Sequence, residues 1–185
     1  FRHSQLTTKI DSSEQSLLSN ITTVKLRKNH AATVDGTKST IKLDFGNKLY
    51  NPHTDHNKVG GGVITSTGFF VSGDIKNYFF DDDGSGNIRK YYTDGATRVY
   101  ADNTAGTVDY GTGVININTL TYSSTSITDG SIDFTIIPNS NDVISVRNQL
   151  LDITASEISV TGVADTVASG ETSAGVGYTT SSSYS

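Results

Sequence analysis

Cysteine, methionine and tryptophan are absent from this chain, and proline occurs only twice. Without cysteine there are no disulfides and no thiolate metal ligands, so stability rests on burial and strand pairing. Without tryptophan, a platform for stacking sugar rings depends on tyrosine. No apolar run approaches the ~20 residues that span a bilayer, and no signal peptide is visible. A basic excess is missing too: 14 Lys and Arg stand against 19 Asp and Glu, a formal charge of −5. With its cations scattered, the chain has no electrostatic basis for coating nucleic acid. It starts at Phe1 and reads as a fragment or a processed product.

What remains is 185 residues, 34% of them apolar, in a background of Ser, Thr, Gly and Asn. These polar residues disfavour helix interiors and suit short strands joined by turns. Apolar alternation gives the clearest strands. Ile41, Leu43 and Phe45 alternate with Lys42 and Asp44. Val114, Ile115 and Ile117 sit beside Asn116 and Asn118, and Ile132, Phe134 and Ile136 alternate up to Pro138. Each pattern fits a strand with one buried face. Further candidates are 22–27, 63–71, 75–80, 88–92, 97–101, 106–110 and 157–161. Turn signals separate them at "VDGTK" (34–38), "FGN" (45–47), "SGD" (72–74), "YGTG" (110–113) and "TDG" (128–130). Glycine there permits tight reversals.

The expected fold is mainly β, with antiparallel sheets in a sandwich-like arrangement and short helical pieces. Asp11 and Glu14 have capping-box spacing and place a short helix in 11–20. In "NDVISVRNQLLDI" (141–153), helical spacing competes with β-branched residues, and the latter favour a strand. Residues 1–153 form the expected β-rich domain. Residues 154–185, which contain no Lys or Arg, form a Ser/Thr/Gly-rich tail expected to be ordered by a partner chain.

Two clusters look like metal sites. In "FFDDDGSGNIRKYY" (79–92), Asp81, Asp83 and Ser85 occupy the first, third and fifth positions of a calcium loop, with Gly86 sixth. The twelfth position is Tyr92, which has no carboxylate, and Arg89 and Lys90 bring positive charge. A hairpin turn is the preferred reading. In "HTDH" (53–56), His53 and His56 are spaced to share a metal, but a structural zinc site needs four ligands. Solvated histidines are the simpler account. Serines lack a G-x-S-x-G elbow, and "GGGVITSTG" (60–68) fails the dinucleotide spacing. No catalytic residue and no cofactor is expected.

Seven segments in order resemble one family. They are "SEQSLLSN", "LDFGNKLYNPH", "GGGVITSTGFF", "FFDDDGSGNIRKYY", "GTVDYGTGVININ", "DGSIDFTIIP" and "NDVISVRNQLLDI". From about residue 10 to about residue 153 the chain resembles the C-terminal part of the inner baseplate wedge protein of contractile-tailed bacteriophages, the J-like wedge subunit. The resemblance implies a structural, non-enzymatic role in the virion tail baseplate, assembled in the host cytoplasm. It implies a homo-oligomer with dimer contacts inside a ring, and other baseplate wedge subunits as partners. Tyr78, Phe80, Tyr91, Tyr92, Tyr178 and Tyr184 are the interface candidates, against the alternative that the hairpin aromatics fill the domain's own core. A β-sandwich carbohydrate- or ligand-binding module of an adhesin is the alternative function. A hydrolase with spatially paired carboxylates has no positive support in the sequence.

Overall fold

The computed structural model describes residues 1–32, 37–56, 62–144 and 152–163. The chain divides into two units, Phe1–Gln149 and Leu150–Ser185, close to the boundary expected at 153/154.

The first unit is antiparallel β. Helix α1 (His3–Asp11) precedes ten strands: β1 (Leu26–Ala31), β2 (Ser39–Asp44), β3 (Ile64–Ser66), β4 (Phe69–Val71), β5 (Asn77–Asp82), β6 (Asn87–Asp94), β7 (Thr97–Asp109), β8 (Val114–Leu120), β9 (Tyr122–Thr125) and β10 (Ser131–Ile136). All belong to one hydrogen-bonded sheet in the order β1-β10-β3-β5-β6-β7-β8-β2, with β4 bridging β5 and β9. Beyond their last strands the two ends of that order meet. The Tyr50 amide donates to the Ile137 carbonyl at 3.0 Å, and the Asn139 amide to the Lys48 carbonyl at 2.8 Å. Leu49 and Pro138 form a β-bridge between them. Lys28 of edge strand β1 also donates through its ammonium to the Asp44 carbonyl of edge strand β2. Such contacts protect edges that otherwise invite foreign strands.

The sheet curls around one apolar core because alternation sends one side of nearly every strand inward. Ile41 and Leu43 of β2, Ile115 and Ile117 of β8, and Ile132, Phe134 and Ile136 of β10 are all buried there. Phe69, Phe80 and Phe134 are completely buried and stack in series, with ring centroids 4.5 Å and 5.9 Å apart.

Several expectations need correction. The helix lies at 3–11, so Asp11 ends it instead of capping a helix over 11–20. Residues 97–101 and 106–110 are one strand, β7, because irregular pairing with β6 carries the chain through "DNTAG". The first strand starts four residues later than 22–27 suggests. Residues 157–161 form no strand; a 3-10 turn, Ala155–Glu157, is the sole regular element among the described residues of the second unit. For 141–153, the described residues 141–144 and 152–153 carry no strand, and the remainder lies outside the described residues. Most of the "VDGTK" turn does as well.

Candidate functional site

The hairpin β5–β6 occupies the stretch that imitates a calcium loop. Gly84 and Gly86, at φ of 77° and 105°, supply the left-handed backbone that turns the chain between the strands. Asp83 staples the turn. Its Oδ1 accepts the amides of Ser85 at 2.7 Å and Asn87 at 3.0 Å, and its Oδ2 accepts the Asn87 side-chain amide at 2.7 Å. Burial opposes ionisation of Asp83, but these three bonds outweigh it and hold the carboxyl below its ordinary range.

Alternation along β5 splits its side chains between the two faces of the sheet. Tyr78, Phe80 and Asp82 face the core, while Phe79 and Asp81 face outward. Asp82 is completely buried and fully engaged: Oδ1 accepts the Ile64 amide and Oδ2 the Tyr110 hydroxyl, each at 2.8 Å. On the other face, Asp81 accepts Arg89 Nε at 2.9 Å, Arg98 Nη1 at 2.9 Å and the Tyr100 hydroxyl at 3.0 Å. Burial raises the Asp81 carboxyl above its ordinary value, and the guanidiniums and the Tyr100 hydroxyl oppose that rise. Two cations therefore surround one carboxylate.

Aromatic rings complete this outer face. Phe79 stacks on Tyr91 at 5.6 Å and Tyr91 meets Tyr100 at 5.8 Å. The Arg89 guanidinium lies 4.2 Å from the Tyr100 centroid, and that of Arg98 lies 4.7 Å from the Tyr91 centroid. Both distances fall within cation–π range.

The calcium spacing is thus a coincidence of sequence. Asp81 is a strand residue neutralised by arginines, Asp83 is a turn staple, and the Ser85 hydroxyl donates to Asp55 of the neighbouring loop. That loop brings the second candidate cluster alongside the first. The Asn51 side chain reaches the Gly84 carbonyl at 3.3 Å, and the His53 and His56 rings meet edge-on at 5.1 Å. His56 also packs edge-on against Tyr50. Among the described residues no group of three or more His, Asp or Glu side chains is placed to hold a metal ion.

The interface candidates separate in the same way. Tyr78 and Phe80 are buried on the core side and present no surface to a partner, which corrects their assignment as anchors. The Tyr78 hydroxyl donates to Asp74 at 2.6 Å, and that bond, with burial, pushes it up to about 12. Tyr92 packs against the core and edge-on to Tyr78. Only Tyr91 belongs to the outer cluster. Tyr178 and Tyr184 lie outside the described residues. Sequence reasoning missed Arg98 and Tyr100, which come from the next strand. The signal available was the outward parity of Phe79, Asp81, Arg89 and Tyr91 across a hairpin.

Among the described residues, no helix is long and apolar enough to cross a membrane. No protein-family model, no curated protein and no solved structure matches the chain.

Proposed function

We propose that this chain is a structural subunit of a contractile phage tail baseplate, a wedge component acting through self-association and contacts with other wedge proteins in the virion. The ordered set of segments resembling the J-like wedge subunit motivates this reading. One structural observation carries it: the chain flanking the closed sheet displays apolar side chains that a partner would cover. Helix α1 buries no residue. After it, Leu18 and Ile21 are 67% and 98% exposed, and in the second unit Val160 and Val163 are 88% and 86% exposed. Apolar side chains gathered in extended segments suit strand addition or groove docking, where backbone groups give affinity and side chains give register.

A carbohydrate-binding module fits less well. Its binding surface needs open aromatic faces, yet guanidiniums lie over the rings of Tyr91 and Tyr100. Co-expression with the other wedge proteins of a contractile tail, followed by purification through a tag on this chain, tests the proposal. Stoichiometric co-purification supports it; recovery of the chain alone, with saturable binding on a glycan array, overturns it.

A further inference from the structure

The outer face of β5–β6–β7 differs from the rest of the sheet exterior. On β2 the outward residues Lys42 and Asp44 are exposed, as are Asn116 and Asn118 on β8, the usual solvated exterior of a one-core sheet. On β5–β6–β7 the same side carries Phe79, Tyr91, Tyr100, Arg89 and Arg98 around Asp81. Tyrosine and arginine are the side chains most enriched where proteins bind proteins, and here their rotamers are already fixed by stacking. Rigid anchors of this kind lose little entropy on docking.

The electrostatics indicate what docks. Arg89 Nε already occupies Asp81 Oδ1, so Arg98 is a second cation on one carboxylate. Arg98 gives Asp81 only its Nη1, and a third of its side chain is exposed. This local positive excess sits in a chain whose formal charge is −5. Asp94, Asp109 and Asp129 are exposed carboxylates on that same chain. The patch and the protein's own remaining surface are therefore of opposite sign, the arrangement that steers association and fixes register.

We propose that the outer face of β5–β6–β7 docks a second copy of this chain, with the tyrosine and phenylalanine rings at the centre of the contact and Arg98 receiving an acidic side chain of the second copy. This deepens the assembly reading above and rests on it for the expectation of self-association.

Sedimentation equilibrium of the full chain, at low salt and at about 0.5 M salt, tests the proposal. The expected result is reversible self-association that weakens with salt and is lost at least tenfold in Arg98→Gln, while the thermal midpoint of that variant stays within a few degrees. Because the chain contains no cysteine, Thr93→Cys gives a second readout that leaves Asp81 and its partners untouched. Thr93 is exposed and pairs with Arg98 across β6–β7. Coupling a bulky maleimide there is expected to block association. A wild-type chain that is monomeric at all concentrations overturns the proposal, and so does association that survives the maleimide unchanged. The wedge reading fails separately: a chain that self-associates through this face but never co-purifies with wedge proteins keeps the dock and loses the baseplate. A chain monomeric alone but incorporated with wedge proteins does the reverse.

Discussion

Asp81 and Arg89 sit directly opposite one another in the β5–β6 register, with Nε 2.9 Å from Oδ1 and both side chains almost wholly removed from water. A buried ion pair gains little over an apolar pair of equal volume, but breaking one side of it is expensive. Arg89→Met is expected to cost about 3 kcal/mol, moderated by Arg98, which still neutralises Asp81. Asp81→Leu combined with Arg89→Met is expected to recover much of that loss. Urea denaturation of both variants checks this; equal losses would show that the pair is not coupled.

Tyr110 and Tyr122 provide a matched pair of opposite sign. The Tyr110 hydroxyl donates to buried Asp82, so Tyr110→Phe leaves a carboxylate oxygen without that donor and is expected to cost about 1–3 kcal/mol. The Tyr122 hydroxyl is buried with no hydrogen-bond partner, and burial pushes it far up. Tyr122→Phe removes an uncompensated polar atom and is expected to be neutral or stabilising by about 1 kcal/mol. Thermal melts of the two variants should move in different directions.

Turn carboxylates make the fold acid-sensitive. Asp83, held low by Asn87 and Ser85, is joined by Asp109, held low by Thr112 and Gly111, and by Asp129, held low by Ser131. A carboxyl whose folded value is depressed contributes stability above its ordinary titration at about pH 4, and that contribution disappears as pH falls through the folded value. The urea midpoint is therefore expected to drop between about pH 5 and about pH 2. In Asp83→Asn the drop should be shallower, since one of the titrating groups is gone. A midpoint that rises on acidification would contradict the turn bonding described for all three residues.

How much of this was legible in the sequence follows from where each signal resides. β2, β8 and β10 announce themselves because Ile, Leu and Phe alternate with Lys, Asp and Asn, and a one-sided core demands that pattern. β9 has only Tyr122 as a large apolar residue, so it carries no alternation and became a strand through its pairing with β4. The continuity of β7 through "DNTAG" is also tertiary, since strands on both sides outweigh the local turn preference. The aspartate run was legible as a hairpin turn. Its chemistry was not, because the two bonds from Arg98 and Tyr100 that define Asp81 cross 17 and 19 residues of sequence.

Gly106 shows the same dependence on neighbours, and it sets the last prediction. It lies in β7 between Ile88 of β6 and Ile117 of β8, with no turn nearby. Sequence reasoning treats a strand glycine as a weak point or a bulge. Here it is a close approach: a Cβ at this position would collide with the Asn116 carbonyl oxygen and stand 3.0 Å from the Ile117 Cα. Both neighbours are backbone, so no side-chain rotation relieves the clash, and the β7–β8 ladder must spread instead. Gly106→Ala is expected to destabilise by about 2 kcal/mol or more, although alanine has the better intrinsic strand preference. Amide hydrogen exchange locates the damage: protection should fall at Val108 and Ile117 while β1 and β10 keep theirs. Uniform loss across the sheet would instead place Gly106 in the cooperative core of the whole fold, and unchanged protection would remove the close approach altogether.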